Sequence, residues 1–258
     1  MSGTGLTTEP TRISVHAGET RVRVELVTGA LAPRLIERDS ASALVALAAA
    51  HMLLLDGDTA TIEVEVGAGC TLEIEDIGGT VAYPGTSHWR VRAAVGEGGR
   101  LLWKGLPFVV TADATSHRTT DLHLSTGASA LLRETLVLGR HGETGGAIDS
   151  RMSVSSVSVT GEHGPVLVER LEADAQHPGP GILGSHRVLD SVIAVGYRPP
   201  TAPGDLVLEH PGAVARYLGR ETHASGLDAV WQRWRHALLE EQHTRPESAV
   251  LTTRVGGR

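Results

Sequence analysis

The feature that most constrains this chain is a unit of alternating strand, glycine turn and alternating strand that returns every 29 residues. Across Thr61–Val66 the apolar residues Ile62, Val64 and Val66 alternate with Thr61, Glu63 and Glu65. A period of two marks a strand with one dry face and one wet face. Gly67-Ala68-Gly69 supplies turn residues, and alternation resumes with Leu72 and Ile74. The pattern reads as a hairpin. It recurs across Arg90–Gly105 and Leu122–Glu134, which sets Gly69, Gly98 and Gly127 at 29-residue intervals. Thr86-Ser87-His88 returns at the same interval as Thr115-Ser116-His117. A weaker fourth copy runs from Val157 to Arg170. No such unit covers its own apolar face, so neighbouring copies are expected to pack on one another. The expected fold is all-β: repeated hairpins stacked into two mainly antiparallel sheet layers, in one domain over residues 1–258. The competing explanation is chance recurrence of glycine turns, which are common in β proteins.

Outside the repeat, residues 40–55 are apolar nearly all round, which fits a buried helix or buried strands. Ala and Leu favour helix by propensity; we read strands, because the segment runs straight into the Asp56-Gly57-Asp58 turn and the next strand. An amphipathic helix is expected over about 226–242. Leu227, Val230, Trp231, Trp234 and Leu238 share one face, and Ser225 with Asp228 resembles a capping box. Residues 243–258 are expected to fray.

Aromatic residues make up only 3% of the chain, so the core must be built from Val, Leu, Ile and Ala. The net charge of -7 comes without a basic run, which leaves no footprint for nucleic acid or an anionic membrane. Cys70 is the one cysteine, so no internal disulfide forms and a reducing compartment fits. Its place after a glycine turn favours packing over reactivity. No stretch reaches the roughly 20 apolar residues of a membrane span. The N-terminus lacks an apolar leader segment. The protein is therefore expected to be soluble and cytoplasmic.

No catalytic constellation is visible. Spacings of the HExxH or CxxC kind, a GxSxG elbow and a phosphate-binding glycine loop are all missing from the sequence. The best metal candidates are His117, Asp121 and His123, which share one strand face, with His88 one repeat earlier. The plainer reading is a solvated strand face. Asp56 and Asp58 flank Gly57 and read first as turn residues. Glu134 lies in an otherwise apolar run, and a buried carboxylate needs a partner; Arg133 and Arg140 are the nearby candidates. Trp231 and Trp234 serve either as core anchors or as a docking face for a partner.

Several segments together resemble the D-type urease accessory protein family, UreD. The resemblance rests on Trp103/Leu106/Pro107, Arg118/Thr120, Leu124/Gly127/Ala128, Glu134 and Leu138-Gly139-Arg140. Upstream, Leu53–Leu72 resembles the family's Gly-Asp strand start and its Val-x-x-Gly-Ala turn, which places Asp58 on the family aspartate. Downstream, Gly164–Asp174 resembles a later hairpin. The likeness spans about Leu53 to Asp174. Two departures stand out. Phe108 and Val109 replace the family's Gln-Glu after Leu-Pro. Glu75–Tyr83 replaces a Thr-rich run ending Lys-Val-Tyr. Roles tied to those residues are not carried over.

The resemblance implies a β-rich fold with sheets wound helically and no enzymatic activity. It implies a scaffold or metallochaperone that joins the F-type accessory protein and the G-type GTPase on the urease apoprotein and helps insert nickel. No tightly bound cofactor is expected, only transient nickel. Asp58, Glu134 and Arg140 are the expected members of an internal polar network or nickel passage. Two alternatives stay open: a repeat-built β hydrolase acting on carbohydrate with paired acids, or a β scaffold for an unrelated assembly.

Overall fold

Each glycine turn carries the chain across to a facing sheet, not back along the same one. The computed structural model describes residues 9–51, 54–157 and 163–244. Its strands are β1 (Thr11–His16), β2 (Arg23–Val27), β3 (Leu31–Arg38), β4 (Ser42–Ala49), β5 (Thr59–Val66), β6 (Thr71–Asp76), β7 (Thr80–Ala82), β8 (Gly85–Val95) and β9 (Arg100–Lys104). They continue as β10 (Phe108–Val110), β11 (Ala114–Leu124), β12 (Ser129–Leu138), β13 (Ala147–Val157), β14 (His163–Asp174), β15 (Val188–Val195), β16 (Leu206–Val207) and β17 (Gly212–Gly219). One α-helix, α1 (Leu227–Thr244), closes the described chain.

One sheet runs β14-β13-β11-β8-β5-β1-β2 and the other β16-β17-β15-β12-β9-β6-β4-β3, with β7 and β10 beside the second path. All-β layers with a C-terminal helix are therefore observed, but the hairpin reading is corrected. β5 lies in the first sheet and β6 in the second, and the same division separates β8 from β9 and β11 from β12. Strands pair instead with their counterparts one repeat away, in parallel. Thr61 lies opposite Arg90, Arg90 opposite Thr119, Thr71 opposite Arg100 and Arg100 opposite Ser129. The 29-residue spacing is thus the length of one coil, and it reaches back to Ser42 opposite Thr71.

Alternation cannot tell these two arrangements apart, because it reports only that each strand has one dry face. Burial decides. Ile62 and Val64 of β5 and Leu72 and Ile74 of β6 belong to one core between the sheets, which a lone in-plane hairpin would leave half open. Antiparallel strands appear at the ends of the stack: β2 and β3 at one, β14 and β15 at the other. The weak fourth copy is the true hairpin, β13 against β14; part of its turn, 158–162, lies outside the described residues.

The turn glycines Gly69, Gly98 and Gly127 all hold positive φ, at 67°, 63° and 68°. Nothing crowds a Cβ at Gly69 or Gly98, so the demand there is conformational. The turns also stack: Gly69 N–H donates to Glu97 O at 2.8 Å, and Gly98 N–H to Thr126 O at 3.1 Å. Of residues 40–55, read as strands, Ser42–Ala49 form one; 50–51 and 54–55 belong to no strand, and 52–53 lie outside the described residues. β12 is buried on both faces, one against the core and one beneath α1, which explains its nearly continuous apolar run. The expected frayed tail is revised in part: 243–244 belong to α1, and 245–258 lie outside the described residues.

Candidate functional site

Moving along the inner face of the second sheet by the coil length aligns Leu47, Asp76, Gly105 and Glu134. Three of these are a core leucine and two carboxylates; the fourth has no side chain. Gly105 lies between Asp76 and Glu134, where its N–H donates to Arg133 O at 3.1 Å and a Cβ would lie 2.7 Å from that same oxygen. Beside this row lies a cavity of about 60 Å³ between the sheets. Trp89, Trp103 and Phe108 wall it, and Asp76, Arg118 and Glu134 supply charge.

Arg118 comes from the opposite sheet. It shares the buried parity of β11 with Ser116, Thr120 and Leu122, and its coil neighbour on β8 is Trp89. One Arg118 Nη2–H donates to Glu134 Oε1 at 3.0 Å, across the core. The side chains are 8% and 23% exposed, respectively. The guanidinium also lies 5.0 Å from the Phe108 ring centroid, a favourable cation–π placement. Its Nε and Nη1 are buried and have no hydrogen-bond partner among the described residues.

Asp76 completes the cavity. Its Oδ1 accepts from Trp103 Nε1–H at 3.0 Å and its Oδ2 from Leu106 N–H at 3.1 Å. Burial pushes this carboxyl up to about 6, against the downward pull of those two bonds and the Arg118 charge. A carboxyl at that value exchanges a proton near neutral pH.

The outer face of β12 carries a second network that docks α1. Arg133 donates to Asp190 Oδ2 at 3.0 Å and Oδ1 at 3.3 Å, and to Asp228 Oδ1 at 2.6 Å. Thr135 and Ser225 hydroxyls donate to the same buried Asp190, at 2.8 and 2.6 Å. Ser225 Oγ in turn accepts from Leu227 N–H at 3.3 Å. The expected capping box is thus altered: Ser225 serves the helix start, while Asp228 turns away to Arg133 and Lys104. Arg235 clamps Glu73 with two bonds of 2.7 and 2.8 Å, fixing the helix to β6.

The residues singled out from sequence fall in separate places. Glu134 is internal, but its partner is Arg118, not Arg133 or Arg140. Arg140 is a correction: its side chain is 60% exposed and pairs with Glu143 at 2.7 Å, so it stands outside the interior network. Asp58 is buried at the entry to β5, where Oδ2 accepts from Leu55 N–H at 2.7 Å. It heads a separate buried row with Ser87 and Ser116, one and two coils on.

His88 and His117 do sit side by side, their rings stacked 5.1 Å apart. Burial, followed by the charges of His117 and Arg90, lowers the His88 pKa. His117 Nδ1 lies 3.8 Å from Asp149, whereas His123 bonds Ser155 at 2.6 Å. Along an extended strand, residues 117 and 123 are about 20 Å apart, so they cannot share an ion. Among the described residues no group of three or more His, Cys, Asp or Glu side chains is placed to hold a metal.

Trp231 and Trp234 are fully buried against the second sheet, and Trp234 Nε1–H donates to Pro200 O at 3.0 Å. The docking-face expectation for them is corrected: they are helix anchors. Cys70 is buried, and burial pushes its thiol up.

Sequence reasoning passed over Asp76, Gly105 and the cavity-facing role of Arg118, although the signal was present. Subtracting 29 from Glu134 reaches Gly105, and subtracting it again reaches Asp76. Arg118 has the parity of Leu122 and Leu124, the dry face of its strand.

The family model described as UreD urease accessory protein matches residues 54–249. Urease accessory protein UreD 1 of Streptomyces griseus subsp. griseus is 39% identical over 241 residues, covering 88% of this chain and 92% of the relative. Urease accessory protein UreD 2 of Saccharopolyspora erythraea is 29% identical over 254 residues, covering 93% and 87%. Urease accessory protein UreD of Frankia alni is 32% identical over 210 residues, covering 72% and 70%. With a family model matching most of its length and a relative aligned nearly end to end, this chain belongs to the UreD urease accessory protein family.

Proposed function

We propose that this protein is a non-catalytic scaffold of urease maturation. It binds the F-type accessory protein, the G-type GTPase and the urease apoprotein, and it assists the delivery of nickel, which is cargo and not a resident cofactor. The supporting observation is the placement of two carboxylates, Asp76 and Glu134, on one internal gap between the sheets, in a chain of the UreD family. Carboxylate oxygens suit a transient divalent ion, because hard oxygen ligands hold it without the strength of a thiolate or multi-imidazole site. Arg118 opposes tight capture by occupying Glu134 and adding positive charge. Asp58 belongs to a neighbouring buried polar row, and Arg140 with Glu143 lies at the surface.

Two experiments test the two halves of this reading. Co-purification of the full chain with urease subunits and the other accessory proteins tests the scaffold; failure to retain any of them refutes it. The passage is tested with Arg118→Met/Glu134→Leu, which removes both charges while keeping volume. Urease matured with this variant is expected to carry markedly less nickel by metal analysis. Wild-type nickel content with a folded variant would make the pair purely structural and defeat the passage, leaving the scaffold standing.

A further inference from the structure

We infer that the cavity between the sheets is a binding site for a small planar oxyanion of the carboxylate class, held by the guanidinium of Arg118. This inference does not depend on the proposed role in nickel delivery. Arg118 has a nine-tenths buried side chain with one bond, to Glu134, and its Nε and Nη1 protons have no partner among the described residues. A guanidinium cannot shed its charge to escape this state. An unsatisfied buried donor costs about 1–3 kcal/mol, more on a charged group. Arg118 lines the cavity, so an acceptor admitted there is within reach of these donors and relieves that cost.

The space and its walls narrow the class. The cavity is about 60 Å³, whereas one water needs roughly 10–15 Å³ of such volume. Room exists for a ligand of a few heavy atoms and for nothing the size of a nucleotide or sugar. Trp89, Trp103 and Phe108 line it. The planar fork of a guanidinium matches a planar carboxylate, and the low polarity of these walls strengthens a charge-assisted hydrogen bond to an anion oxygen.

Charge balance adds a condition. The charged side chains facing the cavity are Asp76 from β6, Arg118 from β11 and Glu134 from β12; Arg133 also borders it, but its guanidinium lies on the outer face of β12, and β7 through β10 contribute only uncharged side chains. Arg133 is engaged by Asp190 and Asp228, and Glu134 by Arg118. Asp76 is the group that can adjust. In its neutral form it stops repelling an incoming anion and can offer its own O–H. Anion entry is thus coupled to proton uptake at Asp76.

The test uses the full chain with sodium formate, matched against sodium chloride at equal ionic strength, followed by thermal shift and by titration calorimetry. Formate is expected to raise the melting temperature where chloride does not, and benzoate, too large for the cavity, to have no effect. Formate affinity is expected to weaken by up to about tenfold per pH unit above 6 as Asp76 ionises. Asp76→Asn is expected to remove that dependence. Arg118→Lys keeps the charge but not the planar fork of donors, and is expected to lose at least about tenfold in affinity. A wild type that responds equally to formate and chloride would overturn the site and leave only water there. An unchanged formate response in Arg118→Lys would overturn it too. If that variant does not fold, a pH dependence that persists in Asp76→Asn decides against the proposal.

Discussion

Replacing Glu134 with Gln removes the carboxylate that Arg118 holds at 3.0 Å and leaves a guanidinium that is 8% exposed in the core. Breaking a buried ion pair from one side costs about 3–5 kcal/mol, because the remaining charge stays desolvated. Two structural facts pull the figure toward the low end. Glu134 is 23% exposed, so water already reaches it. Asp76 also faces the same cavity and can serve as a second counter-charge. The expected loss is about 2–3 kcal/mol, which at a slope of roughly 2–3 kcal/mol per molar urea moves the unfolding midpoint down by about 1 M. Arg118→Met/Glu134→Leu removes both charges and is expected within about 1 kcal/mol of wild type, on either side, since apolar replacements of buried pairs are often neutral or stabilising. Urea unfolding followed by circular dichroism measures all three proteins. Should Glu134→Gln match wild type while the double variant collapses, Glu134 is not the counter-charge of Arg118 and the site is misassigned.

Further outcomes follow from the same geometry. Because the native Asp76 carboxyl is raised from 3.8 to about 6, the native state holds that proton more tightly than the unfolded chain. Stability is therefore lost as pH rises from about 4 to 6, by about 3 kcal/mol at 1.36 kcal/mol per unit; stability–pH curves of Asp76→Asn should lack that fall. Gly98→Ala meets no neighbour and is expected to cost about 1–2 kcal/mol for the left-handed backbone alone. Gly85→Ala, at φ 111° with a Cβ that overlaps the Asp56 side chain, should cost clearly more in the same denaturation assay. Asp190→Ala strips the shared acceptor of Arg133, Thr135 and Ser225 and should destabilise by about 3–5 kcal/mol; loosening of α1 would appear as a red shift in tryptophan emission from Trp231 and Trp234. Trp234→Ala should act through stability, at about 3–5 kcal/mol, and a loss of partner binding without any loss of stability would contradict its role as a helix anchor.

Much of the fold was legible in the chain itself. The dry faces of β5, β6, β8 and β11 follow from alternation, because side chains on a strand point to opposite sides in turn. The positive-φ turns follow from Gly69, Gly98 and Gly127, and the helix face from Leu227, Val230, Trp231, Trp234 and Leu238. The candidate site was legible in part. Glu134 is conspicuous as a lone carboxylate in an apolar run, but Arg118 lies sixteen residues earlier in a polar-looking strand, among the more obvious His117, Asp121 and His123. Arg140 was close to Glu134 in sequence, yet β12 ends at Leu138 and the chain turns outward before reaching it.

Repeat length, turn positions and the dry face of each strand are local properties of spacing and side-chain type, and the chain carries them without its fold. Packing across the core sends the two strands beside each glycine turn into facing sheets, because that choice depends on what covers the dry faces. It also decides that Asp76, Gly105 and Glu134 share one row, and that Arg118 reaches Glu134 from the opposite wall. Residues a full coil apart become neighbours through parallel register, and residues of different sheets meet only across the core. The cavity and its charges belong to that packing and to no single segment of the chain.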